Sequence, residues 1–294
     1  MVGFEMTTTS GQIDAPVSLA GILDNYSAEL TARDRKSLEL APSLLAPGTE
    51  VFIAALPNDK VDDVVAACAQ LRKAGLTPVP HVVARNIENF AALDSLLGRL
   101  SQEAGMDRCL VLGGDREKPV GDYHCSMQLL ETGLIQKYGV KTIRFGCHPE
   151  SHPKVSDAVM DEARTAKLAW AEANGVDVTL VSQFAFDSVP IIAYAKRIRA
   201  QGVKAPFRVG VAGPADRGLL IKYALICGVG NSLKMLQKRS DLALNTLSGE
   251  TPETVIREVA AAQAADSSLG ISGIHFFTFG SLAKSAQWAK SFQA

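Results

Sequence analysis

Arg108-Cys-Leu-Val-Leu-Gly-Gly-Asp115 decides how the rest of the chain is read. Leu110, Val111 and Leu112 form an apolar run without alternation, the pattern of a parallel strand covered on both faces. Gly113 and Gly114 remove side chains where something must approach the backbone, and Asp115 stands where the strand opens to solvent. An Asp-capped turn from strand to loop would have the same local sequence. The recurrence of this ending elsewhere in the chain gives it meaning.

Working outward, apolar strands alternate with segments of helical spacing. Strands are expected at Ser27 to Leu30, Val51 to Leu56, Thr77 to Val83, Cys109 to Leu112, Thr142 to Cys147, Val178 to Gln183, Phe207 to Ala212 and Ile274 to Phe279. Helices are expected at Ser18 to Tyr26, Pro57 to Gly75, Ile87 to Ala104, Tyr123 to Tyr138, Lys154 to Asn174, Ser188 to Gln201 and Leu282 to Phe292, with two or three more between Ala215 and Ala265. Eight such alternations in 294 residues imply an α/β fold with a closed parallel (β/α)8 barrel, a TIM barrel, over residues 17–294. An open doubly wound sheet is disfavoured, because the first strand-to-helix turn has no Gly-x-Gly-x-x-Gly. Residues 1–16 lack a basic n-region and an apolar h-region, and read as a flexible N-terminal tail.

Composition narrows the function. Thirty basic and 31 acidic residues give a net charge of −1 without like-charge blocks, so neither nucleic acid nor an anionic membrane is an expected partner. No apolar run is long enough to span a bilayer. Five scattered cysteines, without a Cys-x-x-Cys pair, suit reduced thiols in a cytoplasmic protein.

In such barrels the strand C-termini build the active site. Those ends carry Glu29, Ala55, His81, Gly113-Gly114-Asp115, Cys147-His148, Gln183, Gly213 and Phe277-Thr278. Glu29 lies inside a strand, where a carboxylate is disfavoured. It either pairs with Arg33 or Arg35, or sits in a rim pocket that raises its pKa and suits it to general acid work. In His148-Pro-Glu-Ser-His152-Pro153 the prolines break the helix that a His-x-x-x-His metal site needs, so no metal is expected. The loop instead offers its imidazoles to a phosphate or a ring system. Gln183, followed by Phe184-Ala-Phe-Asp187, suits a flat heteroaromatic ligand or, equally, a cap on the next helix. Tyr223 reads as a core residue of its helix.

The ordered set Ser27-Ala-Glu29-Leu, Pro80-His81, Leu112-Gly-Gly-Asp115, His148-Pro-Glu-Ser-His152-Pro153, Ser182-Gln183-Phe-Ala-Phe-Asp187 and His275-Phe-Phe-Thr278 resembles methylenetetrahydrofolate reductases of the bacterial catalytic-domain type. The resemblance covers roughly residues 25–280. It implies an FAD-dependent enzyme interconverting 5,10-methylenetetrahydrofolate and 5-methyltetrahydrofolate with NAD(P)H, in one-carbon and methionine metabolism or C1 catabolism. It also implies a homo-oligomer, dimer or tetramer.

By the same resemblance, Glu29 matches the acid that opens the folate's five-membered ring. Asp115 matches the carboxylate that tunes the flavin and contacts the pterin. Gln183, Tyr223 and Phe279 match substrate-binding positions, Tyr223 as the aromatic that stacks on nicotinamide. His81, Leu112, Gly113, Gly114, His124, His148 and His152 match flavin contacts. The sequence departs from the family at Gly113 (often Arg), His148 (Tyr) and Ala55 (a hydroxyl residue). The helix Ala163 to Asn174, with Arg164 and Lys167, lacks the family's pattern of acid and lysine for the adenine nucleotide. Those departures keep two other readings open: a flavin-free tetrahydrofolate-dependent methyltransferase or demethylase on the same barrel, and a non-catalytic folate-binding protein.

Overall fold

A computed structural model describes residues 19–229 and 251–292. Eight parallel strands close in chain order: β1 (Ser27–Thr31), β2 (Glu50–Ala54), β3 (Thr77–Val83), β4 (Arg108–Leu112), β5 (Thr142–Cys147), β6 (Asp177–Ser182), β7 (Phe207–Ala212) and β8 (Ile271–Phe277), with β8 back against β1. The closed barrel expected from the sequence is the observed one. The proposed tail, residues 1–16, lies outside the described residues.

Period-two alternation divides each strand between two environments. Outward residues such as Val51, Ile53, Val82, Val111, Ile143 and Phe145 meet the helix layer in one large apolar core. Inward residues stack in layers. A charged layer around Glu50 fills the N-terminal end, Phe52, Val79, Leu110 and Val181 form an apolar middle, and Glu29, His81 and His275 lie above them.

Two local features differ from the sequence reading. A helix, Arg35–Leu44, joins β1 to β2; Pro42 hides it, yet the Asp34 side chain caps it by accepting from the Ser37 N–H. The single helix expected over Tyr123 to Tyr138 is two, Ser126–Glu131 and Leu134–Lys137, parted at Gly133 with φ 74°. β3 has the expected bounds although it contains Pro78 and Pro80, which cannot donate to a ladder. Its pairing with β4 accordingly takes in only His81, Val82 and Val83. The remaining differences are shifts of a few residues at element ends.

Among the described residues, no helix is long and apolar enough to cross a membrane.

Candidate active site at the C-terminal mouth

Glu29 is the third residue of β1, and its side chain points into the barrel with 20% of its surface exposed. Two imidazoles flank it. His81 Nε2 from β3 lies 3.4 Å from Glu29 Oε2, and His275 Nε2 from β8 lies 3.7 Å from the same oxygen. His275 Nδ1 is 2.8 Å from the Ser27 hydroxyl, two residues before Glu29 and therefore on the same strand face. Phe52 supports the group from below, its ring centroid 4.4 Å from that of His275. Thr278 Oγ1 donates to the Glu29 carbonyl at 2.7 Å, tying the start of the β8 loop to β1.

The electrostatics correct the sequence reading of Glu29. Burial acts to raise its carboxyl, but the approach of His275 and His81 outweighs burial and holds the group well below the usual carboxylate range, at about 2. Burial also pushes the His275 imidazole down, even though Glu29 opposes that. At neutral pH the pair is thus a carboxylate and a neutral imidazole. Placing the His275 proton on Nε2 satisfies both contacts: the Ser27 O–H donates to Nδ1, and Nε2–H faces Glu29. A pocket carboxyl kept protonated at rest is not what the fold builds. The arginine pairing fails too, since Arg33 Nε binds Asp59 at 2.6 Å.

The other expected residues divide into groups. Asp115 is exposed beyond the end of β4. Its charge acts to raise His152, against the burial that lowers that imidazole. Burial pushes the Cys227 thiol up to about 11, and the charges of Glu29 and Asp115 add to the rise. Glu29, inward on β1, and Asp115, just beyond the C-terminal end of β4, belong to the same mouth. Gly114 has φ 99°, and a Cβ there would come within 2.5 Å of Val83 Cγ1, so only glycine suits the turn. A Cβ on Gly113 would meet nothing within 4 Å, leaving space beside Leu112.

Gln183 is half-buried, with its Oε1 accepting from the Phe184 N–H at 3.0 Å. It is not the expected helix cap; Asp187 fills that place by accepting from the Val189 N–H. Tyr223 stacks on Phe279 with centroids 4.2 Å apart and 17° between planes, beside Phe184 and Phe277. It is half-buried rather than a full core residue. Phe279 has φ 48°, a costly conformation for a bulky residue. His124, expected among the cofactor contacts, lies on the loop between β4 and the helix Ser126–Glu131. It is exposed, and its main chain is tied to Arg85 and Gln128.

Next to the mouth, a recess between β5 and the helix Asp157–Ala173 is lined by His148, His152, Asp161, Arg164 and Lys167 among others. His148 and His152 meet edge to face, with centroids 4.7 Å apart. The His148 Nδ1 is buried without a partner, and burial, His152 and Lys167 push the imidazole down to about 4. Lys167 lies 5.0 Å over the Phe145 ring and forms no ion pair among the described residues. An acid, Asp161, and a lysine, Lys167, thus line one recess. Asp161 lies on this helix one turn before Arg164 and about two turns before Lys167. Asp161 itself is already bound by Arg164, Arg197 and Gln201. An unpartnered imidazole nitrogen, an unpaired ammonium and glycine-lined space at the end of β4 fit a flavin nucleotide.

Sequence reasoning assigned no role to Ser27, His275 or Cys227. The first two could have been found by counting in twos, since Ser27 shares the Glu29 face and His275 interrupts an apolar strand.

No family model matches the chain. An uncharacterized protein from Clostridium thermocellum that binds two copies of 5-methyl-5,6,7,8-tetrahydrofolic acid has a similar structure, with TM-score 0.58, 12% identity, and coverage of 92% of this chain and 97% of that one. Dihydropteroate synthase (FolP) from Thermus thermophilus gives TM-score 0.47 at 15% identity, covering 92% and 95%. Yersinia pestis DHPS with a pterine–sulfa conjugate gives TM-score 0.45 at 13% identity, covering 90% and 92%. The Clostridium structure shares the fold of this chain.

Proposed function

We propose that the chain is a folate enzyme interconverting 5,10-methylenetetrahydrofolate and 5-methyltetrahydrofolate with NAD(P)H and bound FAD. The observation that carries this reading is the Glu29 carboxylate set between His81 and His275 at the barrel mouth. Asp115 at the same mouth, and a same-fold neighbour that binds a methyltetrahydrofolate, support a folate as the ligand.

Leu112, Gly113, Gly114, His148, His152 and Lys167 would hold FAD, which would supply hydride chemistry when bound. The chain's own part is binding and proton control. Asp115 and the Gln183 amide offer hydrogen-bond partners to a pterin. Glu29 is ionised while its exposed fifth faces water. A folate covering the mouth removes that water and raises the affinity of the carboxylate for a proton. A proton taken up by Glu29 from solvent as the folate seats passes to N10, the bond from N10 to the methylene carbon breaks with its electron pair on that nitrogen, and the carbon is left as an N5 iminium ready for hydride. The neighbouring imidazoles hold the carboxylate in place throughout.

The test begins with the visible spectrum of purified protein after reconstitution with FAD, before and after NADH. A flavin spectrum that bleaches with NADH is expected. Glu29→Gln should still bleach but fail to turn over methylenetetrahydrofolate. Normal folate turnover by that variant removes Glu29 from the acid role. Methyltetrahydrofolate formed from a methyl donor without reductant overturns the reductase reading in favour of methyl transfer.

A further inference from the structure

The opposite end of the barrel carries charge that the C-terminal mouth does not use. Glu50 opens β2, and three guanidinium groups converge on it from three other strands. Arg108 Nη1 lies 2.7 Å from Glu50 Oε1, Arg144 binds the same oxygen, and Arg208 Nη1 lies 3.4 Å from Oε2. These side chains are largely enclosed: Arg144 is 7% exposed, Glu50 10% and Arg208 13%.

Charge and hydrogen bonding are both incomplete in this layer. Asp107 binds Arg108 from outside at 3.0 Å while also pairing with Arg72 at 3.3 Å, so it offsets Arg108 only in part. Arg144 and Arg208 are left to share the single carboxylate of Glu50, so one positive charge is unbalanced. The Nε–H groups of Arg144 and Arg208 are both buried without a partner. Thr179 Oγ1 accepts from Arg144 Nη1 at 3.2 Å and adds no negative charge. Guanidinium groups stay ionised when buried, so this excess cannot be relieved by losing a proton. Buried unpaired charge is strongly destabilising, and a counterion is the remaining remedy.

We propose that the N-terminal end of the barrel binds a small inorganic anion, held by Arg144 and Arg208 beside Glu50. The ligand class follows from the donors: two guanidinium groups at inward strand positions with unpartnered Nε–H groups, a positive charge left uncompensated, and side chains at most 13% exposed, which favour a small inorganic anion over an organic one. The site is structural, stabilises the closed barrel, and is independent of the chemistry at the other mouth.

The test is thermal unfolding of the full chain at constant ionic strength, with chloride replacing gluconate stepwise and inorganic phosphate in a parallel series. Binding to the folded form alone gives a saturable rise in Tm, because stabilisation grows with the logarithm of ligand concentration above Kd. Arg208→Met should remove the saturable part. Should Arg208→Met not fold, Arg208→Lys keeps the charge, loses the Nε–H and should weaken the anion dependence at least tenfold in apparent Kd. Equal Tm in gluconate, chloride and phosphate for the unaltered chain overturns the proposal, as does an unchanged anion response in Arg208→Lys.

Discussion

Glu29→Gln is the substitution that tests the mouth electrostatics most directly. The carboxyl falls from 4.5 to about 2 on folding. At about 1.4 kcal/mol per pKa unit this is an upper bound of roughly 3 kcal/mol of stability attributable to ionised Glu29. Partial exposure and the shared titration with two imidazoles reduce it to about 2 kcal/mol. A depressed carboxyl contributes in full above its unfolded pKa, and the contribution disappears as pH falls through the folded value. Urea unfolding of the native chain and of Glu29→Gln should therefore differ most above pH 5 and converge toward pH 2. The absolute cost of the glutamine includes its own packing, so the pH dependence of the difference is the diagnostic quantity. A difference that stays constant between pH 5 and pH 2.5 would falsify the assignment of His81 and His275 as the groups holding Glu29 ionised.

His148 should titrate with a midpoint near 4 in ring proton NMR, since burial and its neighbours lower it. Its neutral form is favoured by folding, so stability is complete above pH 6.5 and declines as pH falls toward 4; a midpoint near 6.5 would contradict its burial. Ser27→Ala removes the partner of His275 Nδ1 at 2.8 Å and should cost about 1–2 kcal/mol by urea denaturation, with a changed imidazole tautomer visible in nitrogen-15 ring shifts. Unaltered ring shifts would mean that the hydroxyl does not set the tautomer. Gly210→Ala would bring a Cβ within 2.2 Å of the Ser182 carbonyl oxygen and 2.9 Å of Phe277, and should cost about 3 kcal/mol or prevent folding. Wild-type stability in that variant would show that β6 and β7 are less closely apposed than described.

Much of the site was legible before any coordinates. Glu29 stood out because a carboxylate inside a short apolar strand needs a reason, and Asp115 because two glycines precede it at a strand end. The partners of Glu29 were not legible. His81 and His275 are 52 and 246 residues away in the chain, and only the closing of β8 onto β1 brings His275 to the carboxylate. Its charge state is not legible for the same reason. A pocket assumed apolar raises a carboxyl, whereas two imidazoles at 3.4 and 3.7 Å lower it. The helix Arg35–Leu44 was overlooked because Pro42 argues locally against a helix that packing sustains.

Local chemistry is enough to specify eight strands, the faces they present and the end at which their polar residues collect, because period and turn residues act over a few positions. Charge state, partner choice and the sharing of Glu50 among three arginines depend on distances across a closed barrel. Those distances follow from strand register, which pairs residues remote in the chain, and no local pattern encodes them.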